Sequence, residues 1–196
     1  MLFLRRESFK TYIREYPATS AFIALNTAMM LWTLASGEQF NTVALYRHYA
    51  LIPSAVHFGE WWRLITFTIV HNGWMHFLFN MFMIYLIAPP LERRLGRLRF
   101  ALLILLSAAA TAALLMLVGT DAAVGASGVD FGLLGYYVVL LWRRPYWFDA
   151  QSRSVIVAFV LLGWLSTLVV PGVSFIGHLG GFLGGIGWAV MAGAAR

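Results

Sequence analysis

The sequence predicts an all-α membrane protein of six transmembrane helices, the fourth of them short. Three observations predict it. Hydrophobic residues make up 61% of the 196 residues and charged residues 11%, against about 45–50% and about 25% in soluble domains. Charge is absent from the runs 16–37, 64–91, 100–120 and 154–195, and the run 122–142 holds one charge, Asp130. Lys and Arg collect between these runs in alternation. Such a composition excludes a soluble globule, a disordered chain and a coiled coil. The lack of cysteine excludes disulfide scaffolds, thiolate zinc sites and cysteine nucleophiles. A net charge of +6 is compatible with nucleic acid, but in so apolar a chain it marks membrane flanks, and no nucleic-acid partner is expected.

A helix needs roughly 20 apolar residues to cross the hydrocarbon core, which sets the spans at about 19–36, 72–88, 100–119, 127–142, 154–170 and 175–194. Residues 1–16 precede the first. Basic residues before an apolar run resemble a signal peptide, but no small-residue cleavage site follows and five more spans do, so the first helix is retained. Phe9, Tyr12, Ile13 and Tyr16 share one helical face among basic residues, which suits either an interfacial helix on anionic lipid or a solvated tail. The 37–71 loop carries Phe40, Tyr46, Tyr49, Phe58, Trp61 and Trp62, a density suited to the lipid headgroups. The fourth span is short for a full crossing. A helix that begins inside the bilayer is tolerated where its first turn is buried in protein or faces water. Val170-Pro171-Gly172 breaks the last run into the fifth and sixth spans.

Twelve of the 14 basic residues then fall on one side, and two, Arg47 and Arg63, on the other. The positive-inside rule places both termini in the cytoplasm. An even number of spans is needed for that, independently of hydropathy.

Strongly polar groups inside a bilayer are costly, so each is a functional candidate: Asn26, His71, His76, Asn80, Ser127, Asp130 and His178. His76 and Asn80, four apart, share a face of the second span. His71 falls at that span's outer entrance. Gly128, Gly132 and Gly135 line one face of the fourth span. Gly177, Gly181 and Gly185 line one face of the sixth, with Gly180 and Gly184 beside them. Small residues at this spacing let helices approach closely, so spans four and six are expected to pack together with Ser127 and His178 at the contact. A Ser and a His in hydrogen-bond reach are the nucleophile and base of acyl transfer. His76 and Asn80 can donate to a developing oxyanion, as can the free N–H groups that open the fourth helix.

The pattern His71-x4-His76-x3-Asn80, then Gly125-x-Ser127-Gly128-x3-Gly132-x2-Gly135, then His178-x2-Gly181-x3-Gly185 resembles the rhomboid family of intramembrane serine proteases. Trp62-Arg63 before the second span and Glu92-Arg93-Arg94-Leu95-Gly96 after it match as well. The resemblance runs from about residue 17 to the C-terminus, and makes 17–196 one rhomboid-like bundle with the short fourth helix at its centre. It implies a Ser127–His178 dyad without a third acid, and an oxyanion hole of His76, Asn80 and the Ser127 backbone N–H. Supporting roles fall to His71, Phe131, Gly125, Gly128 and Gly181. It implies cleavage of peptide bonds in or near the transmembrane helices of protein substrates in the lipid bilayer, with no metal or cofactor. The 37–71 segment would be the family's membrane-embedded first loop, and the fifth span with the loop after it the substrate gate. A multi-pass protein of the bacterial cytoplasmic membrane fits.

Two positions depart from the family pattern. Phe131 stands where a Tyr often stacks on the catalytic His; it can stack but has no hydroxyl. Asp130 stands where the family is usually apolar. It is a third acid, a substrate-binding group or a carboxyl kept neutral by burial. The competing functions are a non-catalytic rhomboid-like protein that binds membrane clients, a haem protein using His71, His76 and His178, and a transporter.

Overall fold

The structure, a computed structural model, describes residues 2–36, 47–119 and 122–192. Its helices are α1 (Phe9–Glu15), α2 (Pro17–Ala35), α3 (Pro53–His57), α4 (Arg63–Thr66), α5 (Trp74–Leu95), α6 (Arg97–Val118), α7 (Ser127–Arg143), α8 (Ala150–Val169) and α9 (Phe175–Met191). Among the described residues the one β-type pairing is an isolated bridge between Leu51 and Ala123. By length and composition α2, α5, α6 and α8 can each cross a membrane. The helices found where the fourth and sixth spans were expected, α7 and α9, have 17 residues each. Phe40 and Tyr46 of the aromatic loop lie outside the described residues. Phe58, Trp61 and Trp62 are exposed.

The second span differs most from its expected bounds, because α5 runs past residue 88 and through Pro89 and Pro90 to Leu95. A proline inside a helix removes the N–H that would bond the carbonyl four residues back, here Tyr85 and Leu86. The Tyr12 hydroxyl donates to the Tyr85 carbonyl at 3.3 Å, and its ring stacks on the Tyr85 ring at 5.1 Å. The Tyr137 hydroxyl donates to the Ile87 carbonyl at 2.7 Å. Side chains from α1 and α7 thus bond carbonyls around the interruption. The apolar face of α1 is split accordingly: Tyr12 and Tyr16 are buried in the protein, while Phe9 and Ile13 are exposed.

Beyond the prolines, buried Glu92 caps a different helix. Its carboxylate accepts the Ala18 and Thr19 N–H groups, each at 2.8 Å, and the Thr19 hydroxyl at 2.7 Å. The first N–H groups of α2 have no partner within their own helix, and the helix dipole favours negative charge there. The next residue, Arg93, pairs with Glu15 at 2.6 Å and lies over the Tyr16 ring. Residues 92–93 therefore fasten α1 and α2 to the end of α5.

α7 is buried almost all round, from Gly128 to Leu140. α6 and α9 are its principal neighbours. The second glycine ridge of α9 faces α6: a Cβ at Gly180 would lie 2.8 Å from the Ala110 carbonyl oxygen, and one at Gly184 2.7 Å from the Ala110 Cβ. α8 is attached more loosely, burying only Ser152, Ile156 and Thr167.

Glu92→Ala is expected to lower stability by about 1–3 kcal/mol for each donor left unsatisfied, with Glu92→Gln intermediate. Thermal unfolding in detergent micelles measures both; unchanged midpoints would show that the cap is dispensable.

Candidate active site

Ser127 is the first residue of α7, so its position depends on the loop before it. That loop is held from three directions. Ala123 and Leu51 exchange backbone hydrogen bonds at 2.9 and 3.0 Å, and the Gly125 N–H donates to the Phe67 carbonyl at 2.8 Å. The Ala126 N–H donates to His71 Nε2 at 3.4 Å. Gly125 has φ +117°, and a Cβ there would sit 2.5 Å from the His76 ring. Conformation and space therefore both require glycine at this point.

The Leu51 side of this frame is organised by the buried Arg63. Its guanidinium donates to the carbonyls of Ala50, at 2.7 Å, and Arg47, and pairs with Glu60 at 2.7 Å. Nearby, Trp62 Nε1 donates to the His48 carbonyl at 3.0 Å, and the Thr66 hydroxyl to the Tyr49 carbonyl at 2.9 Å. Arg63 supplies the fixed fork of donors that such carbonyls need.

His178 is brought to Ser127 by a backbone-to-backbone seam. A Cβ at Gly181 would lie 1.8 Å from the Gly128 carbonyl oxygen, and one at Gly185 1.8 Å from that of Gly132. Any side chain at these positions would push α9 off α7. With the helices this close, Ser127 and His178 line one small cavity, together with Thr111, Gly125, Gly128 and Gly177. Its volume of about 20 Å³ is room for one water. His178 is buried, with the Phe131 ring stacked on it at 4.0 Å and 16°. The His178 Nδ1 lies 2.6 Å from the Thr167 hydroxyl on α8.

Other residues singled out from the sequence fall around this pair. His76 abuts Gly125, and its Nδ1 accepts the Asn72 N–H at 3.4 Å. Asn80, buried one turn on, donates to the His76 carbonyl at 2.8 Å; among the described residues no hydrogen bond joins it to Ser127. His71 is buried beneath the loop it supports, its ring 5.0 Å from that of His76. Asp130 is buried, and its Oδ1 has no hydrogen-bond partner among the described residues. Its reading as a third acid fails: the partner of the His178 Nδ1 is Thr167.

The expected Ser127–His178 hydrogen bond is not made among the described residues, although the two share the cavity. In substrate-free sites this bond is commonly long and tightens when a substrate is bound. Thr167 was missed from the sequence because helical hydroxyls usually bond their own backbone, as Ser107 and Thr111 do here. A signal existed: antiparallel pairing about the Pro171-Gly172 turn sets position 167 within one helical turn of position 178.

Apolar helices packed around half-buried Ser127 and buried His178 define a multi-pass integral membrane protein. The chain belongs to the rhomboid family: the rhomboid domain model matches residues 58–195. It is 33% identical over 191 residues to YdcA of Bacillus subtilis, whose name assigns it provisionally to the rhomboid proteases; the match covers 94% of this chain and 92% of that protein. It is also 33% identical over 181 residues to the rhomboid protease GluP of the same organism, covering 91% of this chain but 35% of GluP. Identity to the rhomboid protease GlpG of Haemophilus influenzae is 27% over 140 residues, or 70% of this chain and 73% of GlpG. Rhomboid proteases act on transmembrane substrates within the bilayer.

Gly181→Ala is expected to destabilise the fold by about 1–3 kcal/mol through overpacking. Gly187→Ala, which meets nothing within 4 Å on the same helix, is expected to be neutral or stabilising by up to about 1 kcal/mol. Equal unfolding midpoints for the two variants would remove the seam as the constraint on α9.

Proposed function

We propose that this chain is an intramembrane serine endopeptidase that cleaves the transmembrane segments of membrane proteins with a Ser127–His178 dyad. The observation that carries the reading is the cavity that Ser127 and His178 both line at the start of α7. Ser127 Oγ attacks the scissile carbonyl, and its proton passes to His178. The carbonyl oxygen becomes an oxyanion, and the N–H of Ser127, at the positive end of the α7 dipole, is placed to receive it. Backbone N–H bonds of this first turn begin with Val129, which donates to the Ala126 carbonyl. His76 and Asn80 add side-chain donors. His178 returns the proton to the leaving amine, and water then hydrolyses the acyl-enzyme with the same base.

The fold is read as six spans, with α7 the short central one and α9 the sixth. Residues 17–196 make up the catalytic unit, with residues 1–16 ahead of it. Both termini face the cytoplasm of a bacterial cell, on the basic-residue asymmetry. Phe131 supplies the ring that stacks on the base. His71, Gly125, Gly128 and Gly181 hold the nucleophile and base in place. Exposed Phe58, Trp61 and Trp62 suit a loop seated at the headgroups.

Cleavage of a tagged single-pass substrate in proteoliposomes tests the reading. Ser127→Ala and His178→Ala are each expected to abolish turnover while folding survives, since removing either member of such a pair costs orders of magnitude. Substantial cleavage by Ser127→Ala would refute the dyad, and an inactive native chain would favour a client-binding role. His76→Ala or Asn80→Ala is expected to reduce turnover roughly 10–1000-fold, the scale of one oxyanion donor. Undiminished rates in both would exclude them from the oxyanion site.

A further inference from the structure

We infer that Thr167 is a positioning residue that fixes the tautomer of His178. The inference rests on the dyad reading above and adds a third member to it, a neutral hydroxyl supplied by α8.

A hydroxyl has one proton to give. The Thr167 Oγ1 lies 2.8 Å from the Gly163 carbonyl oxygen, which can only accept, and 2.6 Å from His178 Nδ1. Thr167 is buried, and among the described residues these are its side chain's two hydrogen-bond partners. With its proton directed to Gly163, Oγ1 meets the ring as an acceptor. The proton between Oγ1 and the ring is therefore on Nδ1, and Nε2 carries the free lone pair. That is the tautomer able to take a proton from Ser127. The Ser166 hydroxyl also donates to the Gly163 carbonyl at 2.8 Å, but Ser166 is exposed and can turn elsewhere, whereas buried Thr167 cannot.

The reverse polarity, with Thr167 donating to Nδ1, would put the ring proton on Nε2 and leave the base unable to act. In serine proteases a buried aspartate sets this choice. Here the Nδ1 partner is Thr167 rather than Asp130, and a carboxylate buried beside the ring would be costly. A hydroxyl already committed to its own helix sets the same polarity without a charge. Phe131 fixes the ring plane from one face and Thr167 fixes which edge is protonated; the two constraints are independent.

The test uses the full chain labelled with [15N]histidine in micelles, the His178 signals being identified by their loss in His178→Ala. The 15N shifts are expected to show a protonated Nδ1 and an unprotonated Nε2 in the native chain, and predominantly protonated Nε2 in Thr167→Val. A native ring protonated on Nε2 would overturn the inference, as would a Thr167→Val ring unchanged from native. This readout needs no turnover, so it stands or falls apart from the protease reading, which fails if the native chain cleaves nothing. In the cleavage assay Thr167→Val is expected to lower kcat about tenfold, the factor carried by one neutral hydrogen bond, with KM little changed. Thr167→Ser is expected to restore kcat to within about threefold of native. Loss through KM alone, or no rescue by Ser while the variant remains folded, would count against tautomer control.

Discussion

The contact on which the rest of the molecule depends is the one between the backbones of α7 and α9. At Gly181 and Gly185 no atom larger than hydrogen fits against the carbonyls of Gly128 and Gly132. In a bilayer, helices gain little by hiding apolar surface from one another, because lipid is equally apolar. Close van der Waals approach is what remains, and glycine permits it. The seam starts one residue after Ser127 and three after His178, so the geometry of packing and the geometry of the site are set by the same atoms.

Two polar anchors hold the ends of that assembly. On one side the Arg63 guanidinium gathers the carbonyls of Arg47 and Ala50, so that Leu51 can pair with Ala123 and set the loop ahead of Ser127. On the other, the Glu92 carboxylate collects the free N–H groups of α2. Each places one buried charge where several backbone groups would otherwise go unsatisfied. Tyr12 does similar service at the carbonyl released by Pro89.

Hydropathy located the helices because the physical requirement is local: a span must be apolar over its own length. The long helices α2, α6, α7, α8 and α9 fall within a few residues of the expected segments, α5 overruns its segment at Pro89 and Pro90, and the short α3 and α4 lie in the segment expected to be a loop. At the prolines the Tyr12 hydroxyl takes up the carbonyl freed by Pro89 and the Tyr137 hydroxyl bonds the neighbouring Ile87 carbonyl, partners far away in the chain that periodicity cannot reveal. Glycine spacing disclosed the approach of the fourth and sixth segments but not that Gly180 and Gly184 serve α6 as well. Ser127 and His178 stood out because a polar residue in an apolar span is unusual, whereas Gly125 and Phe131 drew notice through the family pattern. Thr167 did neither, since a threonine in an apolar helix is unremarkable until its neighbour across the turn is known. Nor could sequence position tell where Asp130 would point, and its reading as a third acid gave way to Thr167.

The sparse attachment of α8 has an energetic corollary. With Leu161, Leu162, Leu165 and Leu168 all facing outward, most of this helix is solvated by acyl chains. Tilting it exchanges one hydrocarbon neighbour for another, at a free energy near zero over that surface. Resistance to the movement is then concentrated in a few inward groups, among them Thr167 and the Trp164 ring, which packs edge-on against Phe131 at 4.9 Å. Displacing α8 would therefore also draw the Thr167 hydroxyl away from His178, so the lipid-facing flank and the imidazole edge are mechanically linked through one side chain.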